Sequence, residues 1–370
     1  MSAIKDALRR TGIHGACLSW RLLGALGLHR SSFPPVAFVV EDADWAIRWV
    51  GEHICAGIER EAPGIAAVTT RPERLMSRVV HFGSQYMWLT WGSAMAPSNR
   101  FIVSFFHGKR EDGPDTARHI DAFLESAPRL SKIVTAASIV EKRLLGWGVA
   151  AEKIVRIPIG VDTGLFTPPT ADQRLAARAR FGIGPERIVV GSFQKDGIGW
   201  ADGLQPKLIK GPDIFLAVVE RLAKEVPVFV LLTGPARGFV KQGLERLAVP
   251  YAHTYVTDHR ELAECYRALD LYLITSREEG GPMALMESMA SGVPVVSTAV
   301  GMAPDLIHDG VSGAITDSEN VEQLCHKSLS LLLAEDGVAP LRARAREAVA
   351  ACDWRIVAHD HLEKVYRPLL

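Results

Sequence analysis

From Val36 onward, short apolar runs alternate with segments whose apolar positions recur at helical spacing, the signature of parallel-sheet βαβ units. In the first half the runs predict strands at 36–40 (VAFVV), 65–68, 78–82 (RVVHF), 101–106 (FIVSFF), 132–136 and 154–158 (IVRIP), with helices between them such as Trp45 to Glu59 and Ile139 to Leu145. The second half repeats the rhythm, with strands near 188–192 (IVVGS), 228–233 (VFVLLT), 271–274 and 293–297 (VPVVS), and helices near 212–225, 259–267 and 283–290. This predicts two doubly wound α/β domains, with the boundary in the stretch from Gly160 to Gly184, which holds Pro168, Pro169 and a polar helix.

Length agrees: 370 residues are too many for one ordinary domain and enough for two, each with its own core. A net charge of zero gives no general pull toward nucleic acid, so any anion site must be local. The five cysteines are scattered (Cys17, Cys55, Cys265, Cys325, Cys352), with neither CxxC nor Cys/His metal spacing, which points to free thiols in a reducing cytoplasm. No apolar run is long enough to span a bilayer, the best being Leu22 to Leu28. Residues 1–30 place Lys5, Arg9, Arg10, Arg21 and Arg30 among apolar residues. That segment reads either as a helix packed on its own domain or as a basic amphipathic helix lying on an anionic membrane. A cleavable signal is disfavoured, since no small-residue cleavage site precedes Pro34 and Pro35.

Ligands of open α/β sheets collect outside the carboxyl ends of the strands. The residues to inspect there are Glu41, Asp42 and Asp44; Gly83 to Gln85; His107 to Arg110; Lys195 and Asp196; Gly234; and the loop Ser276 to Pro282. The most informative stretch is SREEGGPMALMESMASGVPVV, residues 276–296. Gly280 and Gly281 permit a tight turn, Pro282 suits the first helical position, and Gly292 with Pro294 ends the helix before the next strand. The free amides of Met283 and Ala284 then open toward an anion such as a diphosphate. Glu279 and Glu287 beside a bound phosphate make electrostatic sense if they accept hydrogen bonds from sugar or ribose hydroxyls.

This pattern, two glutamates separated by seven residues and followed by MASGVPVV, resembles glycosyltransferase family four, the retaining enzymes of GT-B fold. The resemblance extends to T298-A-V-G301, D305-L-I-H-D-G-V-S-G313, the basic positions in G191-S-F-Q-K195 and K210-G-P212, the stretch R156-I-P-I-G-V-D-T-G-L-F166, and D353-W-R355 with its following helix. It covers residues 130–366. It implies two Rossmann-like domains facing a cleft: an acceptor-side domain over 31–165, a linker over 166–185, a nucleotide-sugar domain over 186–345, and a C-terminal helix over 346–370 that packs back on the first domain.

Position by position, the resemblance implies that Glu287 meets the donor ribose and Glu279 the transferred sugar. The backbone of Gly281, Pro282, Met283 and Ala284 would meet sugar and diphosphate, with Gly234 nearby. Lys210 and Lys195 would neutralise the diphosphate, and His107 would face the transferred sugar. Two lysines and a helix N-terminus supply the charge a departing diphosphate needs, so no metal or cofactor is expected, and no protein nucleophile either. The activity implied is retaining transfer from a nucleotide-diphosphate sugar, in cell-surface polysaccharide or glycolipid synthesis, to a glycan, lipid-linked or small-molecule acceptor. Two alternatives stay open: a sugar-nucleotide epimerase of the same fold and a non-catalytic nucleotide-sugar or partner binder.

Other residues carry blander expectations. Asp42 and Asp44 superficially spell a metal motif and read better as the cap of a helix beginning at Trp45. His81 and Gln85 read equally as acceptor-pocket residues or as structural residues at a sheet edge, and Met283, Met286 and Met289 as core filling. The tryptophans, Trp200 included, read as packing, with Trp88 and Trp91 open to contact with an apolar acceptor. The chain departs from the family pattern in reading VEDADW after its first strand, in Ile159, and in Gly281, so the acceptor is not legible.

Overall fold

The computed structural model describes residues 2–26, 32–42, 46–334 and 337–370, and it divides into two compact units, Met1–Ile159 with Trp354–Leu370, and Gly160–Asp353. Asp44 and Trp45, and with them the proposed helix cap, lie outside the described residues.

The first unit is a six-stranded parallel sheet in the order β2-β1-β3-β4-β5-β6, from β1 (Val36–Val39), β2 (Ala66–Thr69), β3 (Val79–Phe82), β4 (Arg100–Ser104), β5 (Leu130–Thr135) and β6 (Ile154–Arg156). β1 and β3 are buried throughout, which is why β1 reads as an unbroken apolar run and β3 as one interrupted only by His81. The C-terminal segment belongs to this unit: Ala358 packs so closely on Gly57 of the helix Ala46–Glu61 that a Cβ there would stand 2.3 Å from the alanine methyl. His81 sits inside the sheet and is wholly buried, hydrogen-bonded to Tyr366 Oη at 2.8 Å and to Ser104 Oγ at 2.9 Å. Of the two readings of His81, the structural one holds, but in the interior of the sheet rather than at its edge. Gln85 is buried too, at the start of the helix Gln85–Trp91, and donates to the carbonyl of His107. Trp88 is buried with its indole N–H on Ser126 Oγ at 2.7 Å, so it offers no surface to an acceptor.

The second unit is a parallel sheet in the order β12-β11-β10-β7-β8-β9, from β7 (Ile188–Phe193), β8 (Val228–Thr233), β9 (Tyr251–Thr254), β10 (Leu271–Ile274), β11 (Val295–Thr298) and β12 (Ala314–Thr316). Val190, Val230, Leu273 and Val296 from its centre join Phe215, Val218, Val219 and Leu222 of the helix Pro212–Glu225 in one core. The dividing points fall at Ile159 and Asp353, not at 165 and 345. Residues 166–185 are not a free linker, because Arg174 and Arg178 of the helix Ala171–Arg180 both pair with Asp270, just before β10. Both units are Rossmann-like, and among the described residues no helix is long and apolar enough to cross a membrane.

Candidate functional site

In the second unit the order of connection reverses at β7, whose neighbours are β8 and β10, and a sheet of this kind binds ligands beyond the strand ends at such a switch point. The segments leaving β7 and β10 there are Gln194–Asp196 and Thr275–Glu279.

Lys210 and Glu279 are brought together. Glu279 is buried, and its Oε1 accepts from Lys210 Nζ at 2.5 Å and from Ser276 Oγ at 2.9 Å. The approach is set by the backbone. Gly211 adopts φ +64°, and a Cβ there would fall 1.9 Å from the carbonyl oxygen of Thr275, so only glycine lets the lysine-bearing turn lie against the glutamate loop. Thr275 Oγ1 donates to the Gly211 carbonyl at 2.8 Å, and Arg277 bonds to Leu208 O and to both oxygens of Asp213, tying the two segments together. The loop then opens into the helix Met283–Ala290, with Pro282 as its N-cap residue rather than its first turn, because the Pro282 ψ of 112° is extended. Gly281, Pro282, Met283 and Ala284 are all partly accessible, whereas Met286 and Met289 are core.

Glu287 stands apart from that pair. It is buried on the helix and accepts the Tyr266 hydroxyl at 2.7 Å. Burial lifts its carboxyl to about 7, with the Tyr266 hydrogen bond acting in the opposite direction. Tyr266 is itself held well above the usual tyrosine value by burial and by the charge of Glu287.

Lys195 carries its ammonium 3.6 Å from the ring centroid of Trp200, an exposed indole, so the packing role expected for Trp200 gives way to a cation–π contact. Gly234, at φ +89°, backs onto this segment: a Cβ there would stand 2.9 Å from Gln194 O. His107 lies in the first unit, exposed, beyond the end of β4.

Two participants were not singled out from the sequence as site residues. Lys207 is linked through its backbone N–H to Asp196 O at 2.7 Å, and partial burial together with the charge of Lys210 holds its ammonium below the usual lysine value; because Lys207 is exposed, solvent screens much of this. Arg237, fully buried, donates to the carbonyls of Ser192, Gln194 and Thr233 at the ends of β7 and β8 and pairs with buried Asp196 at 3.0 Å. Arg237 gave no pattern signal, since it follows a turn and pairs with a residue 41 positions away only in the folded chain.

Among the described residues one group of three possible metal ligands occurs, Glu61, His359 and Glu363, in the first unit and unrelated to these lysines and glutamates. Asp42 is not part of it.

Known proteins fit this arrangement. Two relatives are D-inositol 3-phosphate glycosyltransferases: that of Segniliparus rotundus is 35% identical over 59% of this chain and 48% of its own length, and that of Xylanimonas cellulosilytica 32% identical over 56% and 50%. The chain thus spans about half the length of these curated relatives. Among solved structures, Anabaena HepE in complex with UDP-glucose superposes with a TM-score of 0.73 at 16% identity, covering 89% of this chain and 98% of that one. Sucrose-phosphate synthase from Thermosynechococcus elongatus does so with a TM-score of 0.68 at 17% identity, covering 91% and 99%. The fold is therefore the GT-B fold of glycosyltransferases. Residues 196–334, which hold Lys207, Lys210, Glu279 and Glu287, match the glycosyl transferases group 1 family.

Proposed function

We propose that this chain is a retaining, metal-independent glycosyltransferase that takes its sugar from a nucleotide-diphosphate donor. The observation that carries the reading is the Lys210–Glu279 pair at the sheet's switch point, its glutamate on the loop that leads into the helix Met283–Ala290. A cation and a helix N-terminus together suit a diphosphate, whose negative charge grows as the sugar departs. Lys210 would turn from Glu279 to the phosphate, freeing the glutamate to accept from hydroxyls of the transferred sugar. Lys195 would add a second cation, and the amides of Met283 and Ala284 the rest.

Glu287 would take the ribose hydroxyls, with Tyr266 fixing the carboxylate. His107 keeps the role the resemblance gives it, toward the transferred sugar. No side chain has to act as a nucleophile if the leaving phosphate oxygen takes the acceptor proton. Positioning and charge then supply the rate. A UDP-linked sugar is the first donor to try, because HepE was solved with UDP-glucose. The product would be a cell-surface glycan or glycolipid made at the cytoplasmic side. Contact with the membrane through residues 1–30 is supported by the exposed series Leu18, Leu22 and Leu26, which lies away from buried Ile13 and Cys17.

The test is calorimetric binding of UDP-, GDP-, ADP- and dTDP-sugars in EDTA, with Glu287→Ala and Lys210→Ala as controls, followed by turnover with the donor that binds. Binding lost in both variants is the expected result. If no donor binds, or if binding needs a divalent metal, the reading is wrong.

A further inference from the structure

The stretch between β7 and the Lys210 turn is a folded loop with its own fastening, not a slack insertion. Its two arms pair as a short antiparallel ribbon: Gly197 bridges Pro206, Ile198 N bonds to Gln205 O at 2.8 Å, and Lys207 N bonds to Asp196 O at 2.7 Å. The far arm runs straight into the catalytic turn through the bond from Lys210 N to Lys207 O at 2.8 Å. The tip is pressed on the turn after β8, where Gly238 N bonds to Asp202 O and Phe239 N to Gly203 O. A Cβ on Gly203 would stand 2.1 Å from the Ala236 carbonyl oxygen, and one on Gly197 2.4 Å from it. Close backbone contact of this kind fixes a loop far more tightly than its surface position suggests.

Beneath the ribbon lies the Asp196–Arg237 pair. Arg237 spends its donors on three strand-end carbonyls and on Ser192 Oγ, and its 3.0 Å ion pair leaves the Asp196 carboxylate oxygens without an aligned hydrogen-bond donor. A buried pair of this kind is weak as a source of stability and stronger as a device that selects one arrangement. What it selects here is the position of Asp196, which follows Lys195 in the chain and is itself the backbone partner of Lys207.

Resting on the glycosyltransferase reading, we propose that Lys207 is a third phosphate-binding cation of the donor site, delivered by the 195–207 ribbon and positioned by the buried Asp196–Arg237 pair. Lys207 lies within electrostatic reach of both Lys210 and Lys195, and Glu279, the carboxylate that acts on Lys207, is already bonded to Lys210 and Ser276. The cluster carries more positive than negative charge until an anion enters. A diphosphate relieves that excess, and the third lysine makes the site select two phosphates over one.

Affinity of the full-length chain for inorganic pyrophosphate, and for whichever nucleoside diphosphate the wild type selects, is measured by calorimetry at fixed ionic strength. Lys207→Met is expected to weaken both about tenfold, as loss of one charge-assisted contact does, and Lys207→Arg to restore most of it. Asp196→Asn is expected to weaken them to a similar degree. In the Lys207→Met background, the added effect of Asp196→Asn shrinks toward nothing, because both act through the same ammonium. Lys207 is exposed, so its variants fold even if Asp196→Asn does not. Affinity within twofold of wild type in Lys207→Met overturns the proposal, and full additivity in the double variant overturns the positioning role. A wild type that binds neither pyrophosphate nor any nucleoside diphosphate sinks the glycosyltransferase reading itself.

Discussion

Replacing Glu287 by glutamine tests whether a helix buried in a parallel-sheet core carries an ionisable group held near neutrality. The carboxyl sits at 4% exposure with the Tyr266 hydroxyl at 2.7 Å, and burial lifts it from 4.5 to about 7. The unfolded chain ionises this group from 4.5 upward, the folded chain only from about 7. The folded state therefore binds more protons between those values, so its stability falls as pH rises through that window and is level above it. Carrying the ionised form into the folded chain costs about 3 kcal/mol, of which about 2 kcal/mol develops between pH 5.5 and 8.

Glutamine keeps an acceptor for Tyr266 and has no proton to release. Urea unfolding of the wild type and Glu287→Gln across that range should give a difference that moves by about 2 kcal/mol in favour of glutamine as pH rises. Taking the difference matters, since the buried histidines of the first unit titrate the opposite way and partly mask the effect in wild type alone. A difference that stays flat over the range refutes the argument that Glu287 is buried without a compensating cation. The same titration bears on function: if the ionised form takes ribose hydroxyls, donor affinity rises about tenfold from pH 6 to pH 8 and is flat in Glu287→Gln.

Burial holds His361 at about 4, below its ordinary 6.5, so the first unit should lose about 3 kcal/mol as pH falls from 6.5 to 4, where the unfolded chain takes up the proton first; the acid limb of urea-unfolding curves should be shallower in His361→Gln. Gly211→Ala forces a side chain into a left-handed backbone 1.9 Å from the Thr275 carbonyl oxygen, and should cost more than about 2 kcal/mol in unfolding free energy while lowering donor affinity by moving Lys210. Trp88→Ala empties a fully packed site and breaks the bond to Ser126, for an expected loss of about 3–5 kcal/mol in thermal or urea unfolding. Deleting residues 1–30 should abolish sedimentation with vesicles containing anionic phospholipid, and unchanged binding would remove the membrane contact.

The sequence by itself determined the layered α/β fold, because strands buried on both faces must be apolar throughout and stand out as VAFVV, FIVSFF and VFVLLT. It also determined the loop–helix–strand unit around Glu279 and Glu287, whose glycines and proline leave few backbone choices. The short edge strands Tyr251–Thr254 and Ala314–Thr316 were not legible, since three or four residues, partly exposed, hold too little apolar pattern to separate them from loop.

What only the tertiary structure decided is pairing across sequence distance. That Lys210 meets Glu279, that Tyr266 caps Glu287, that His81 is locked by Tyr366 rather than lining a pocket, and that Arg237 anchors the ribbon bearing Lys195 and Lys207 all depend on which strand ends lie side by side. A local pattern fixes each element's inward face, but strand order and the close approaches its glycines allow fix which charges become neighbours.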